Sequence, residues 1–210
     1  MYSEYTTPFN VLPASADVSS GPVTQLLEFC STGLKPTPGA GDKLFDWGTF
    51  KRAVDQQAAN KLTFDEFRDL SSSPTLTTVE AAASQCAGFL SDSVDHQIPE
   101  GELKTHLTNL LTNLSAGKKS GWASFIPGEP SGGWIRRGPD SSEWQLRLAL
   151  LNPKSSSSSD IQAVLATLKF GGNVAKEEDW YKLDREKSQK LSFNLDVMKL
   201  IVSADFHSSD

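Results

Sequence analysis

The sequence predicts a single α/β domain, a helix-rich first half sharing one core with a strand-rich second half. Three observations carry that prediction. Capped amphipathic patterns recur from Gly21 to Ala116, and period-two alternation recurs from Trp144 to Val202. The most regular helical pattern, Pro99 to Ala116, has an apolar stripe so narrow that it must lie against another layer. At 210 residues the chain is long enough to bury a substantial core, and one domain, residues 1–210, is favoured over two.

From the N-terminus, residues 1–20 are read as an edge strand or an N-terminal arm. Pro8 and Pro13 fit an edge strand around Phe9 to Leu12 and do not fit a central one. Gly21 and Pro22 open a short helix with Val23, Leu26, Leu27 and Cys30 on one face, and Gly33 ends it. Lys35 to Gly41, with Pro36, Pro38, Gly39 and Gly41, is a loop. Within Leu44 to Asn60, the alternation of Phe45, Trp47 and Thr49 predicts a strand. The spacing of Phe50, Val54 and Ala58 predicts a helix after it.

Thr63 with Glu66 three residues on matches a capping box for a short helix carrying Phe64 and Phe67. Asp65, Glu66 and Asp69 then fall in its first turns, where the helix dipole favours negative charge, so they are read as structural. Ser71-Ser72-Ser73-Pro74 breaks the chain, and Thr77 with Glu80 repeats the capping pattern. The helix that follows has a small inner face of Val79, Ala82, Ala83, Cys86, Ala87 and Leu90. Small side chains allow a close helix neighbour, which predicts a hairpin with the next helix through a turn at Asp92 to Gln97.

That next helix runs from Pro99 to Ala116 with Leu103, Leu107, Leu110, Leu111 and Leu114 in one stripe. Pro99 suits its first turn, Gly117 its stop, and Lys118 and Lys119 the negative end of its dipole. Gly121 to Phe125, including Trp122, enters the sheet as a strand. Trp144, Leu146, Leu148 and Leu150 alternate with Gln145 and Arg147, a strand with one apolar face. Asn152-Pro153 and the run Ser155 to Ser159 make a flexible connection. From Ile161 to Phe170, Leu165 and Leu168 included, both alternating sets are largely apolar, so this strand is covered on two sides and ends at Gly171-Gly172. Asn173 to Lys190 is charged. Phe193, Leu195 and Val197 form a last strand, and residues 203–210 are read as a mobile tail.

Composition narrows the function. The 38% apolar and 22% charged fractions are those of a globular protein, and the net charge of −6 argues against a general nucleic-acid binder. The first residues lack a basic n-region and an apolar h-region, and no uncharged apolar run approaches the ~18–20 residues of a spanning helix. The expectation is a protein made in soluble form and released by a non-signal route. Cys30 and Cys86 sit on inner helix faces and read as buried free thiols, a disulfide between them being the alternative. His96, His106 and His207 fit no metal-ligand spacing, and no nucleophile elbow or dinucleotide motif occurs. Gly117-Lys118-Lys119-Ser120-Gly121 follows a helix where a phosphate loop follows a strand. No catalytic residue, metal or cofactor is predicted.

Several segments carry a resemblance. Leu107-Thr108-Asn109, Thr112-Asn113-Leu114, the basic turn after them and Trp122 resemble the helix-to-strand junction of the Cyt-type cytolytic δ-endotoxins, including the mushroom cytolysin volvatoxin. Trp144 to Asn152 is similar to the family's next strand, Ile161 to Glu177 to the apolar strand and charged turn after it, and Leu195 to Ser203 to its closing strand. Phe45-Asp46-Trp47-Gly48 resembles an earlier segment. The resemblance implies helical hairpins flanking a central, mostly antiparallel sheet. It also implies a toxin that binds a lipid membrane, self-associates there and permeabilises it without chemistry or a cofactor.

On that reading the insertion or oligomerisation residues are the leucine stripe (Leu103, Leu107, Leu110, Leu111, Leu114) and the strand residues Trp144, Leu146, Leu148, Leu150, Leu165, Leu168, Phe193, Leu195 and Val197. Membrane docking falls to Trp122, Phe125 and Trp134 beside Lys118, Lys119, Arg136 and Arg137, since aromatic rings next to basic groups suit a headgroup boundary. The rival class is a non-lytic module on the same fold, binding lipid, carbohydrate or a glycolipid headgroup.

Overall fold

Four long strands lie side by side in the order β6 (Ser142–Ser155), β7 (Ser158–Gly172), β8 (Gln189–Val202) and β4 (Leu62–Thr77), each antiparallel to its neighbour. This computed structural model describes residues 7–12, 20–36, 42–57, 61–128, 141–155 and 158–208. Two short strands share the other edge of β6: β5 (Ala123–Ile126) is antiparallel to it, and β1 (Asn10–Val11) is parallel to it at Leu148 and Ala149. The sheet is therefore mixed but mostly antiparallel. β2 (Leu34–Pro36) and β3 (Lys43–Phe45) form a separate ribbon.

Strict alternation gives the sheet two apolar faces. One packs on α3 (Val79–Ser93) and α4 (Glu100–Leu111), which form the expected hairpin, and on α5 (Leu114–Ser120). The other packs on α1 (Ser20–Cys30) and α2 (Trp47–Asp55), whose Leu26, Phe29, Phe50 and Val54 meet Leu151, Ala163, Leu165 and Leu200. A short α6 (Glu177–Trp180) precedes β8 and buries Trp180. Cys30 and Cys86 lie in these two different cores, on opposite faces of the sheet, and both are free thiols. Burial pushes the Cys86 thiol up to about 12 and the Cys30 thiol higher still.

Several sequence expectations are corrected. Thr63 to Leu70 is not a helix, and Ser71 to Pro74 is not a break; both belong to the 16-residue β4. A capping spacing cannot sustain a helix alone, and the apolar spacing of Phe64, Phe67 and Leu70 runs out at Ser71-Ser72-Ser73-Pro74, whereas β8 offers hydrogen bonds along the length of the strand. Pro74 is tolerated because β4 is an edge strand and the register shifts between Ser72 and Thr75. The cap of α3 is Thr78, whose side chain accepts from the Ala81 amide at 3.0 Å. Lys35 and Pro36 are in β2, and residues 37–41 of that expected loop lie outside the described residues. β6 and β7 reach Ser155 and Ser158, which pair with each other, so most of the expected serine connection is strand or lies outside the described residues. After β8 the chain turns back where a tail was expected: Phe206 is buried against Phe29, and the Ser208 amide donates to Gln25 Oε1 at 2.9 Å.

The expected helix from Pro99 to Ala116 is two helices. Thr112 closes α4, its hydroxyl donating to the Thr108 carbonyl at 2.8 Å, and Asn113 leaves the helical region. Gly117 therefore lies inside α5, and Gly121, at φ 88°, supplies the left-handed stop. Gly117 is small for a packing reason: a Cβ there would stand 2.5 Å from the Trp122 ring. Gly117→Ala is accordingly expected to destabilise the fold by about 1–3 kcal/mol, since the buried indole must shift to admit the methyl group. Urea unfolding followed by tryptophan fluorescence checks this; an unchanged midpoint contradicts the close contact.

Candidate membrane-active site

The α3–α4 hairpin covers the sheet with the residues expected to do so. Leu103, Leu107 and Leu111 of α4 and Leu114 of α5 are buried in one cluster with Trp144, Leu146, Leu148, Leu150, Leu168, Phe193, Leu195 and Val197. Leu110 is half-buried at its margin. Leu165 is the exception: it faces the opposite core, beneath α1 and α2, because it is out of phase with Leu168. The hairpin turn is tight, with Asp95 and His96 at positive φ (52° and 58°) and the Ser91 hydroxyl donating to the Ile98 carbonyl at 2.9 Å.

Polar ties from the hairpin to the rest of the molecule lie at its margins. At the tip, Lys199 of β8 faces Asp95 at 3.8 Å and Glu66 of β4 at 4.0 Å. Arg68 of β4 stacks on Phe89 of α3 at 4.7 Å, and Arg185 donates to Thr112 Oγ1 at 3.0 Å. Within the hairpin, Lys104 pairs with Glu80 at 2.9 Å and holds its carboxyl below the usual range. These ties are few and confined to the margins, so apolar burial is what holds the hairpin down. The strands beneath are 14, 15 and 14 residues long for β6, β7 and β8, against the ~9–11 a membrane-crossing strand needs.

The docking residues proposed from sequence do not form one patch. Trp122 is buried against Gly117, and Phe125 is half-buried with its ring 5.4 Å from that of Trp144, so both serve the core. Lys118 is held by Glu177 at 2.7 Å and Asp42 at 3.5 Å. Burial opposes its charge, but the two carboxylates outweigh that and raise its pKa. Lys119 is exposed. Trp134, Arg136 and Arg137 lie outside the described residues. The exposed large apolar side chains include Phe67 and Leu76, both on the edge strand β4, and Tyr181 after α6. Reading residues 63–74 as helix and break hid the first of these.

The second face of β6 is also enclosed, which its polar residues did not suggest. Gln145 and Arg147 are almost fully buried beneath β1, β3 and β5. Arg147 donates from Nε to the Pro8 carbonyl at 2.8 Å, from Nη1 to the Lys43 carbonyl at 3.0 Å and Ser124 Oγ at 2.9 Å, and from Nη2 to the Gly121 carbonyl. Burial lowers its pKa to about 10, partly offset by Asp42.

On the α2 side, Asp196 of β8 sits by Thr167, whose hydroxyl receives the Trp47 indole N–H at 2.9 Å. Burial, then the neighbouring Asp69, raise its carboxyl above the ordinary aspartate range, while Lys169 and Thr167 act the other way. In the unfolded chain this carboxyl titrates near the ordinary value, so the native state binds the extra proton between the two pKa values. Its contribution to stability therefore falls as pH rises through that window. Asp196→Asn is expected to raise the melting temperature at neutral pH and to flatten the acid side of the stability profile; a lowered neutral melting temperature contradicts this.

Among the described residues no three His, Cys, Asp or Glu side chains stand together as metal ligands, and no helix is long and apolar enough to cross a membrane. No family model and no curated protein matches the sequence. Solved structures do match the fold. The activated Cyt2Ba monomer from Bacillus thuringiensis subsp. israelensis superposes with a TM-score of 0.68 at 11% identity, covering 95% of this chain and 100% of that one. A δ-endotoxin superposes with a TM-score of 0.68 at 8% identity, covering 93% and 81%. The chain has the fold of the Cyt-type cytolytic δ-endotoxins, a single α/β domain with helices on both faces of a central sheet.

Proposed function

We propose that this protein is a membrane-permeabilising cytolysin that passes from a soluble form to a self-associated form on target cell membranes. The observation that carries the reading is the α3–α4 hairpin, an apolar cover over strands long enough to cross a bilayer, tied at its margins by weak polar contacts. A membrane offers the leucine stripe an alternative apolar partner, in which an amphipathic helix lies with its apolar face down. Release of the hairpin frees one face of β6–β8. Strands in lipid must then satisfy every backbone group by closing a ring of protomers or by remaining at the interface.

The likeness in fold to δ-endotoxin structures supports the same reading. Dye release from phosphatidylcholine vesicles, with cross-linking of the membrane-bound fraction, tests it. Leakage with oligomers on the vesicles is the expected result. Binding without leakage favours a non-lytic lipid- or glycolipid-binding module, and neither binding nor leakage rejects the membrane reading.

A further inference from the structure

A cavity of about 420 Å³ opens where the end of α5, β3 and β5 meet β6, away from the leucine stripe. Its lining carries four cationic side chains, Lys43, Lys118, Lys119 and Arg147, against one carboxylate, Asp42. The charges are unequally answered. Lys118 is matched by Asp42 and Glu177. Arg147, 2% exposed, directs its donors to uncharged oxygens, so its charge projects into the cavity with Asp42 acting only through space. Among the described residues, no carboxylate pairs with Lys43 or Lys119, both exposed at the mouth.

The C-terminal carbonyls of a helix normally repel an anion. Here the Gly121 carbonyl accepts from Arg147, that of Lys118 accepts from the Gly121 amide at 3.1 Å, and that of Gly117 from the Trp122 amide at 3.2 Å. The wall is left with a cationic excess over a low-dielectric floor, where charge acts more strongly than in water. We propose that this cavity binds a phosphate monoester, with Lys43 and Lys119 as mobile point charges closing on it and Arg147 fixing the positive field beneath. The volume accommodates a phosphate with its substituent directed outward. The phosphate belongs either to a soluble ligand or to an anionic lipid headgroup; in the second case the inference rests on the membrane reading above.

The test uses the full chain and its double variant Lys43→Glu/Lys119→Glu, both positions being exposed, with circular dichroism as the folding control. Inorganic phosphate is titrated while the amide resonances of Gly121 and Ser124 are followed. In parallel, sedimentation measures binding to phosphatidylcholine vesicles with and without phosphatidic acid. The expected result is saturable shifts in the wild type and a loss of affinity of about fivefold or more per lysine in the variant. Phosphate that releases protein from phosphatidic acid vesicles identifies a lipid headgroup as the ligand. Phosphate binding without recruitment to those vesicles identifies a soluble one. No saturable binding, or binding unchanged in the variant, overturns the proposal. Leakage from neutral vesicles, run alongside, separates this failure from failure of the cytolysin reading, because the lysine pair lies outside the hairpin–sheet contact.

Discussion

Bridging Asp95→Cys at the hairpin tip to Glu66→Cys on β4 with a reducible bifunctional thiol reagent is expected to reduce dye release to the level of vesicles without protein, while vesicle binding persists. Both native carboxylates lie within 4.0 Å of the one Lys199 ammonium, so a short reagent spans the pair without moving the backbone. Both side chains are more than half exposed or close to it, at 67% and 50%, and so are open to modification. The native cysteines do not compete: Cys30 and Cys86 are buried, and burial keeps their thiols protonated at neutral pH. Reduction of the bridge should restore release. Lys199 is nearly buried and loses both carboxylates in this variant, and Asp95 stands at positive φ, so the unbridged variant should be less stable than the wild type and its own dye release is the reference against which the bridge is read.

Arg147→Leu should be the most damaging single substitution on the far side of the sheet, at about 3–5 kcal/mol, because several buried carbonyls each lose a donor at ~1–3 kcal/mol, partly offset by no longer burying a charge. Leucine replaces the apolar stem but leaves the carbonyls of Pro8, Lys43 and Gly121 without their donor. Those three carbonyls belong to the approach to β1, to β3 and to the end of α5, so one side chain ties three otherwise separate segments to β6. Against a total stability of ~5–15 kcal/mol, that loss is large. Arg147→Lys should recover only part of it, because an ammonium is a point donor and cannot hold the fork. Urea unfolding measures both; a loss below about 1 kcal/mol for Arg147→Leu would show that water replaces the guanidinium.

Where one periodicity dominated, the sequence was readable. The leucine stripe of α4, the small inner face of α3 and, Leu165 apart, the named strand residues of β6, β7 and β8 face the core expected of them, because each pattern has a single burial solution. β4 was not readable, since its residues face water on much of their surface and its pairing is dictated by β8, 120 or so residues away in sequence. The split between α4 and α5 was hidden because Leu114 continues the stripe in sequence while Asn113 breaks it in space. Arg147 was taken for the wet side of a strand. Only the packing of β1, β3 and β5 over β6 makes it interior, and no local pattern encodes that. The core positions of Trp122 and Phe125 were hidden for the same reason: aromatic rings beside lysines look alike whether they face lipid or a glycine such as Gly117.

The proposed function requires the hairpin to leave the sheet on a membrane. The direct measurement is the distance between spin labels on Asp95→Cys and Glu66→Cys, first in solution and then on phosphatidylcholine vesicles at a protein load that releases dye. A short, narrow distribution is expected in solution, where the two backbone positions flank Lys199, and a longer, broader one on the vesicles. A distribution that stays short while dye escapes would contradict it.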